Sequence, residues 1–262
     1  MSLLALAQLG RGIVPPDEPV LRADDEGVLR GRAVFETLRV YDGRPFELHR
    51  HVNRLTKSAR RLRLPPPPLA DLQALAHDAL AAAGEPNCVL RFLWTPATGL
   101  ALVSPIPAGL EELRARGLRL LVREWATGAL AGAKSTSYAE NIAAQAAAEA
   151  AGLDDALLVG PDGIVLEAPT ANVWFREGDL LLTPSLDLPI LAGVTRAVAC
   201  HLAPRVEEGR YELERLLAAD EVFLTSSVRE VMPVQRVGEH AFRPGPAASE
   251  LQNALRRYAG SG

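Results

Sequence analysis

Four consecutive prolines at positions 65–68 place the tightest local limit on this chain. A proline has no amide donor and its ring collides with the preceding helical turn, so any helix that reaches them must end there. One does approach them. In LHRHVNRLTKSARRLRL the residues Leu48, Val52, Leu55 and Ala59 recur at helical spacing. Upstream, residues 33–41 read as a strand ending at an Asp42-Gly43 turn, with 45–48 continuing beyond it in the manner of a hairpin. Shorter strand-like pieces lie at 10–12 and 20–21. Beyond the prolines the pattern predicts a helix over 69–83 closing at Gly84, then strands at 88–94 and 118–123.

Residues 124–133, EWATGALAGA, are small and aperiodic and read as a connection. After them an alanine-rich helix is expected over 139–151, with Gly152 as its C-cap. Strands at 156–159 and 164–167 flank a Pro161-Asp162-Gly163 turn, and another pair, 172–175 and 180–182, flanks Glu177-Gly178-Asp179. A helix starts near Gly193-Val194-Thr195, and 222–225 is a further strand. Helices and strands mix without a βαβ rhythm, which predicts an α+β fold with an N-terminal α/β subdomain over 1–122, a connection over 123–133 and a C-terminal subdomain over 134–262.

The net charge of -4 supplies no electrostatic footprint for nucleic acid. No apolar run approaches the ~20 residues of a membrane span, and the N-terminus lacks the basic region and cleavage site of a signal peptide. Cys88 and Cys200 lie far apart, without metal-type spacing, and read as buried thiols in a reducing compartment. No metal site is expected, and a cytoplasmic location is.

Of the 28 basic residues only Lys57 and Lys134 are lysines. Lys134 follows Ala131-Gly132-Ala133 and precedes a helix. Taken singly, Lys134, Glu167 at a strand end and Arg54 on an amphipathic helix are ordinary surface residues. Their order along the chain is not ordinary. GRAVFETLRVYDGRPFELHRHVNRLTKSA, KSTSYAENIAAQAAAEA, DGIVLEAPTANVWF, LLLTPSLDLPILAGVTRAV and EVFLTSSVREVMPV resemble, in sequence, the blocks of the fold-type IV enzymes that use pyridoxal 5′-phosphate (PLP). Branched-chain aminotransferases, D-amino acid aminotransferases and aminodeoxychorismate lyases make up that family. The resemblance runs from about Val20 to Val234. It implies a homodimeric enzyme with an amino acid and a 2-oxo acid as substrates.

The resemblance assigns roles residue by residue. Lys134 carries PLP as a Schiff base and moves the substrate proton. Glu167 keeps the pyridine nitrogen protonated, and Tyr138 meets the phenolic oxygen. Arg54 of the HxxRL block offers the phosphate a fork of donors. Val194 and Thr195 offer it a helix N-terminus after Gly193, and Ser226 and Ser227 a hydroxyl. Thr170 and Asn172 line the ring, or are simple turn and strand residues.

For the substrate's α-carboxylate the chain departs from its relatives. Where D-amino acid aminotransferases carry an arginine in a TRG-like segment, it has Thr95-Pro96-Ala97-Thr98-Gly99, and their GDG block becomes Gly31-Arg32-Ala33. Arg91, inside a strand, and Arg30, in a segment expected to reach a neighbouring subunit's site, are the candidate carboxylate clamp. Internal ion pairs are the plainer reading of both. The clamp reading points to transamination between D-amino acids and 2-oxo acids. Aminodeoxychorismate lyase is the alternative, followed by branched-chain aminotransferase and a non-catalytic PLP carrier.

Overall fold

The structure, a computed structural model, describes residues 3–243 and 245–260. Its contacts divide the chain into two compact units: residues 1–107 with 133–138, and residues 108–132 with 139–262.

The first unit contains, in chain order, β1 (Ala5–Gln8), β2 (Gly12–Val14), α1 (Glu26–Arg30), β3 (Val34–Tyr41), β4 (Arg44–Pro45), α2 (Leu48–Arg61), α3 (Leu69–Ala83), β5 (Cys88–Trp94) and β6 (Gly99–Pro105). Its six strands form an antiparallel sheet in the order β2-β1-β6-β5-β3-β4. Strand β3 alternates buried and half-buried residues, which turns Val34, Leu38 and Val40 towards α2. Leu55 and Ala59 of α2 and Leu72 and Ala79 of α3 complete that core, each fully buried. At the β3–β4 hairpin Asp42 and Gly43 both have positive φ, 47° and 78°, as a tight two-residue turn requires.

The second unit contains α4 (Leu110–Arg116), β7 (Leu118–Glu124), α5 (Ala139–Ala150), β8 (Asp155–Val159), β9 (Asn172–Glu177), β10 (Leu180–Pro184), α6 (Val194–Leu202), β11 (Val206–Gly209), α7 (Leu213–Leu217), β12 (Glu221–Ser226), β13 (Glu230–Val237), β14 (His240–Ala241) and α8 (Pro246–Gly260). Its main sheet runs β11-β10-β9-β12-β13-β7-β8, with β14 on β13. Phe175, Val173, Val222, Leu224 and Met232 fill its core.

Several sequence expectations change. Residues 9–11 are the turn between β1 and β2 and Gly12 opens β2, with Gly10 and Gly12 both at φ 78°, and 20–21 form no strand. Helix α2 stops at Arg61, before the prolines, because Arg63 turns left-handed (φ 54°) and the chain then buries Leu64. Residues 164–167 make only isolated bridges, Val165 to Val159 and Ile164 to Glu212, too few for a strand. Strands β6 and β13 and helices α4 and α8 had no sequence expectation. Cys88 is buried, whereas Cys200 is half-buried; both are free thiols.

The division of the chain also moves. A boundary at 122 cuts β7, which pairs in parallel with β13 and β8 and so belongs to the second sheet. Lys134 goes the other way. Ser135 bridges Val34, the Phe35 N–H donates to the Lys134 carbonyl at 3.1 Å, and Thr136 donates to the Ala33 carbonyl at 2.9 Å. The lysine segment thus continues the edge of β3 and joins the first unit.

Candidate active site

In the first unit the alternation that buries Val34 and Leu38 also buries Glu36, which has no solvent exposure. A carboxylate in an apolar core needs compensation. Helix α2 supplies it from two successive turns. Arg54 donates Nε to Glu36 Oε1 and Nη2 to Glu36 Oε2, each at 2.7 Å, and His51 Nδ1 lies 2.7 Å from Oε2. Burial opposes ionisation of Glu36, yet the Arg54 guanidinium and the His51 hydrogen bond outweigh it and hold the carboxyl at about 2. His51 is pushed down, mainly by its own burial, so the neutral ring donates from Nδ1. Its Nε2 is buried with no hydrogen-bond partner among the described residues.

Lys134 is half-buried, and its Nζ lies 4.5 Å from the centre of the Phe35 ring. Tyr138 meets the same ring edge-on, with centroids 5.6 Å apart. The Arg91 guanidinium also approaches Phe35, at 5.7 Å. On β5 Arg91 faces away from the core, is exposed, and makes no hydrogen bond or ion pair with the described residues. The internal ion pair that is the plainer reading of a strand arginine is therefore not made. Arg30 sits at the end of α1 with its side chain 76% exposed, and Glu26 lies 3.7 Å from its guanidinium. The Thr95 loop holds that helix: Thr95 Oγ1 donates to the buried Asp25 at 2.6 Å, and Asp25 accepts the Gly27 amide at 2.7 Å.

In the second unit Leu191 and Asn172 both donate to Glu167. The Leu191 amide lies 3.1 Å from both carboxylate oxygens, and Asn172 Nδ2 lies 3.0 Å from Oε2. Asn172 also donates to the Leu191 carbonyl at 2.9 Å, so β9 and the segment before α6 are clamped together. Gly193 caps α6 without a side-chain hydrogen bond, and Thr195 Oγ1 is buried with no partner among the described residues. Arg196 holds the helix by donating to the Pro184 carbonyl (2.7 Å) and Glu208 (2.5 Å). Ser226 and Ser227 are half-buried at the end of β12. The exposed Thr170 accepts a hydrogen bond from Arg229 at 2.8 Å, an arginine that also pairs with the buried Asp155 at 2.7 Å.

In each unit the residues present suit a part of PLP. A helix start without a side-chain cap, beside a buried hydroxyl that has no partner among the described residues, is suited to receive an anion. Arg54 is a guanidinium held in place by Glu36, and Lys134 an amine set against the Phe35 ring. Comparison with known proteins decides the family: the model of amino-transferase class IV matches residues 33–237.

The chain belongs to that family.

As a class IV aminotransferase it is a PLP-dependent enzyme with an α+β fold of type IV. It is 30% identical over 258 residues to the aminodeoxychorismate lyase of Bacillus subtilis, covering 90% of this chain and 88% of that one. A bifunctional aminodeoxychorismate lyase / D-amino acid transaminase of Mycobacterium tuberculosis is 34% identical over 217 residues, covering 73% and 75%. Among solved structures, a hypothetical aminotransferase from Mycobacterium tuberculosis in its PLP-bound form superposes with a TM-score of 0.92 at 28% identity, covering 98% of this class IV chain and 99% of that one. A fold IV transaminase from Curtobacterium pusillum reaches 0.91, also at 28% identity and the same coverage.

Glu36, His51, Ser58 and Phe35 had no role assigned from the sequence. Glu36 could have been found there. It shares the inward phase of Val34, Leu38 and Val40, and a carboxylate in phase with a core stripe demands a buried cation.

Proposed function

We propose that this class IV aminotransferase moves the amino group between D-amino acids and 2-oxo acids of the pyruvate or 2-oxoglutarate type. Arg91 carries the reading. It is a guanidinium without a carboxylate of its own, on the Phe35 ring that Lys134 and Tyr138 also flank. A planar fork in that state suits the α-carboxylate every such substrate brings. Arg30, weakly paired and exposed, is its counterpart at the site of a second copy, in a homodimer working in the cytoplasm. The Mycobacterium tuberculosis relative, whose name includes D-amino acid transaminase, supports the same direction.

Bound PLP supplies an electron sink for the substrate's α-carbon. Lys134 would hold the cofactor covalently, and its Nζ, freed once the substrate's amine takes its place, would carry the proton between that carbon and C4′ of the cofactor. Glu167, fixed by Asn172 and the Leu191 amide, holds a proton on the pyridine nitrogen. Tyr138 meets the phenolic oxygen. Arg54, the α6 amides of Val194 and Thr195 after Gly193, and Ser226 and Ser227 hold the phosphate. Thr170 and Asn172 line the ring.

Pyruvate elimination from aminodeoxychorismate is the second reading, favoured by the likeness to the Bacillus subtilis lyase over 90% of the chain. Supplying D-alanine with 2-oxoglutarate, L-leucine with 2-oxoglutarate, and aminodeoxychorismate in separate reactions tests both. D-glutamate and pyruvate from the first, with little from the others, is the expected result; pyruvate from aminodeoxychorismate alone makes it a lyase. Arg91→Ala should raise the KM for D-alanine about tenfold to a hundredfold, the scale of one lost charge-assisted hydrogen bond. PLP affinity should be unchanged. An unaltered KM would leave Arg91 without a substrate role.

A further inference from the structure

Helix α2 contributes a third polar group to its buried face, one turn beyond Arg54. Ser58 is 2% exposed, and its Oγ accepts the Lys134 backbone N–H at 3.0 Å. The neighbouring main-chain groups are held as well: the Lys134 carbonyl accepts from the Phe35 amide, Ser135 bridges Val34, and Thr136 Oγ1 donates to the Gly31 carbonyl at 3.1 Å. Phe35, whose amide grips the lysine carbonyl, is also the ring beside which Nζ rests. The residues just before, 124–133, contain no helix or strand beyond Glu124. Ser58 is thus the point at which the chain passes from that irregular stretch into the paired lysine segment.

We propose that Ser58 is a positioning residue for Lys134, its hydroxyl fixing the lysine main chain and so the direction in which Nζ leaves it. The proposal rests on Lys134 being the residue that carries PLP. A side chain aimed from a loop loses its aim with the loop, and a buried N–H deprived of its acceptor destabilises the conformation that buries it. Arg54, held by Glu36 of β3, and Ser58 therefore make α2 a common reference for the phosphate-holding arginine and the lysine.

The test uses the full-length PLP-loaded enzyme as wild type, Ser58→Ala and Ser58→Thr. Amide hydrogen exchange is followed by mass spectrometry in the peptide containing 134–136, beside kcat and KM. Ser58→Ala should exchange about fivefold to a hundredfold faster in that peptide and no faster in α3, the scale set by an unsatisfied buried amide. Its kcat should fall with KM nearly constant, and Ser58→Thr, which restores the oxygen, should recover both. Should Ser58→Ala not fold, Ser58→Cys keeps the shape with a weak sulfur acceptor and gives the same comparison. Unchanged exchange at 134–136, or a kcat equal to wild type, overturns the proposal. Borohydride reduction followed by peptide mapping separates its two layers. A pyridoxyl label on Lys57 overturns the lysine assignment itself, whereas a label on Lys134 with unaltered exchange in Ser58→Ala overturns the Ser58 role alone.

Discussion

Glu36 shows how a single residue can join stability to chemistry. Removing its charge strands Arg54 and His51 in the core, and breaking a buried ion pair from one side costs about 3–5 kcal/mol. Glu36→Gln should therefore lower the thermal midpoint and weaken PLP more than unphosphorylated pyridoxal, since the misaimed group is the guanidinium that would hold the phosphate. Equal weakening of both ligands would detach Arg54 from the phosphate. The pH dependence follows from the depressed pKa. The unfolded carboxyl takes up its proton near 4.5 and the folded one near 2, so the stability Glu36 contributes is fully present above about 4.5 and disappears as the pH falls towards 2. His51, also depressed, adds a loss of the same sign beginning below its ordinary 6.5. Acid titration of unfolding should be flatter between 4.5 and 2 in Glu36→Gln than in wild type. At Lys134 the expectation is simpler: Lys134→Ala should fold, yet lose covalent PLP and turnover, because attachment and proton transfer run through one amine. Retention of either would move the chemistry elsewhere.

Among the elements, the start of α6 is the tightest join in the second unit. Gly193 has an ordinary φ of -64°, so its value is space rather than backbone freedom: a Cβ there would run into Asn172 Oδ1. Asn172 in turn holds Glu167 and the Leu191 carbonyl. Gly193→Ala should force β9 and the helix start apart at a cost of about 1–3 kcal/mol, the range for overpacking. Melting temperature and PLP affinity should fall together, as one displaced amide loosens both Glu167 and the α6 amides. Wild-type values for both would mean that Asn172 yields freely. The β3–α2 pair is the corresponding join in the first unit, where Leu38, Leu55 and Ala59 supply the apolar contact and Glu36, His51 and Arg54 its polar centre.

For the molecule as a whole, exposed apolar residues cluster near the segment bearing Arg30, with Val28 53% and Leu29 64% exposed on α1. A homodimer in which 27–33 completes the partner's site should give a particle of twice 28.1 kDa by light scattering. A fully active 28.1 kDa monomer would remove Arg30 from the carboxylate clamp. Among the described residues no helix is long and apolar enough to cross a membrane.

Periodicity and breakers alone determined α3 and β5 to the residue, the Asp42-Gly43 turn and the start of α6, since each depends on neighbours within a few positions, whereas the strand after that turn is only Arg44–Pro45 and Leu48 already begins α2. The order of the motifs, more than any one of them, determined the family and with it PLP. What tertiary structure decided lies at long separation. The end of α2 was set by burial of Leu64 rather than by the prolines. β7 joined the second sheet because its hydrogen-bond partners are Val234 to Val237 and Asp155 to Val159. Lys134 joined the first unit because Ser58, Phe35 and Val34, roughly 76 to 100 residues away, hold its main chain. A local pattern records which face a residue shows, and only the folded chain reveals what waits on that face.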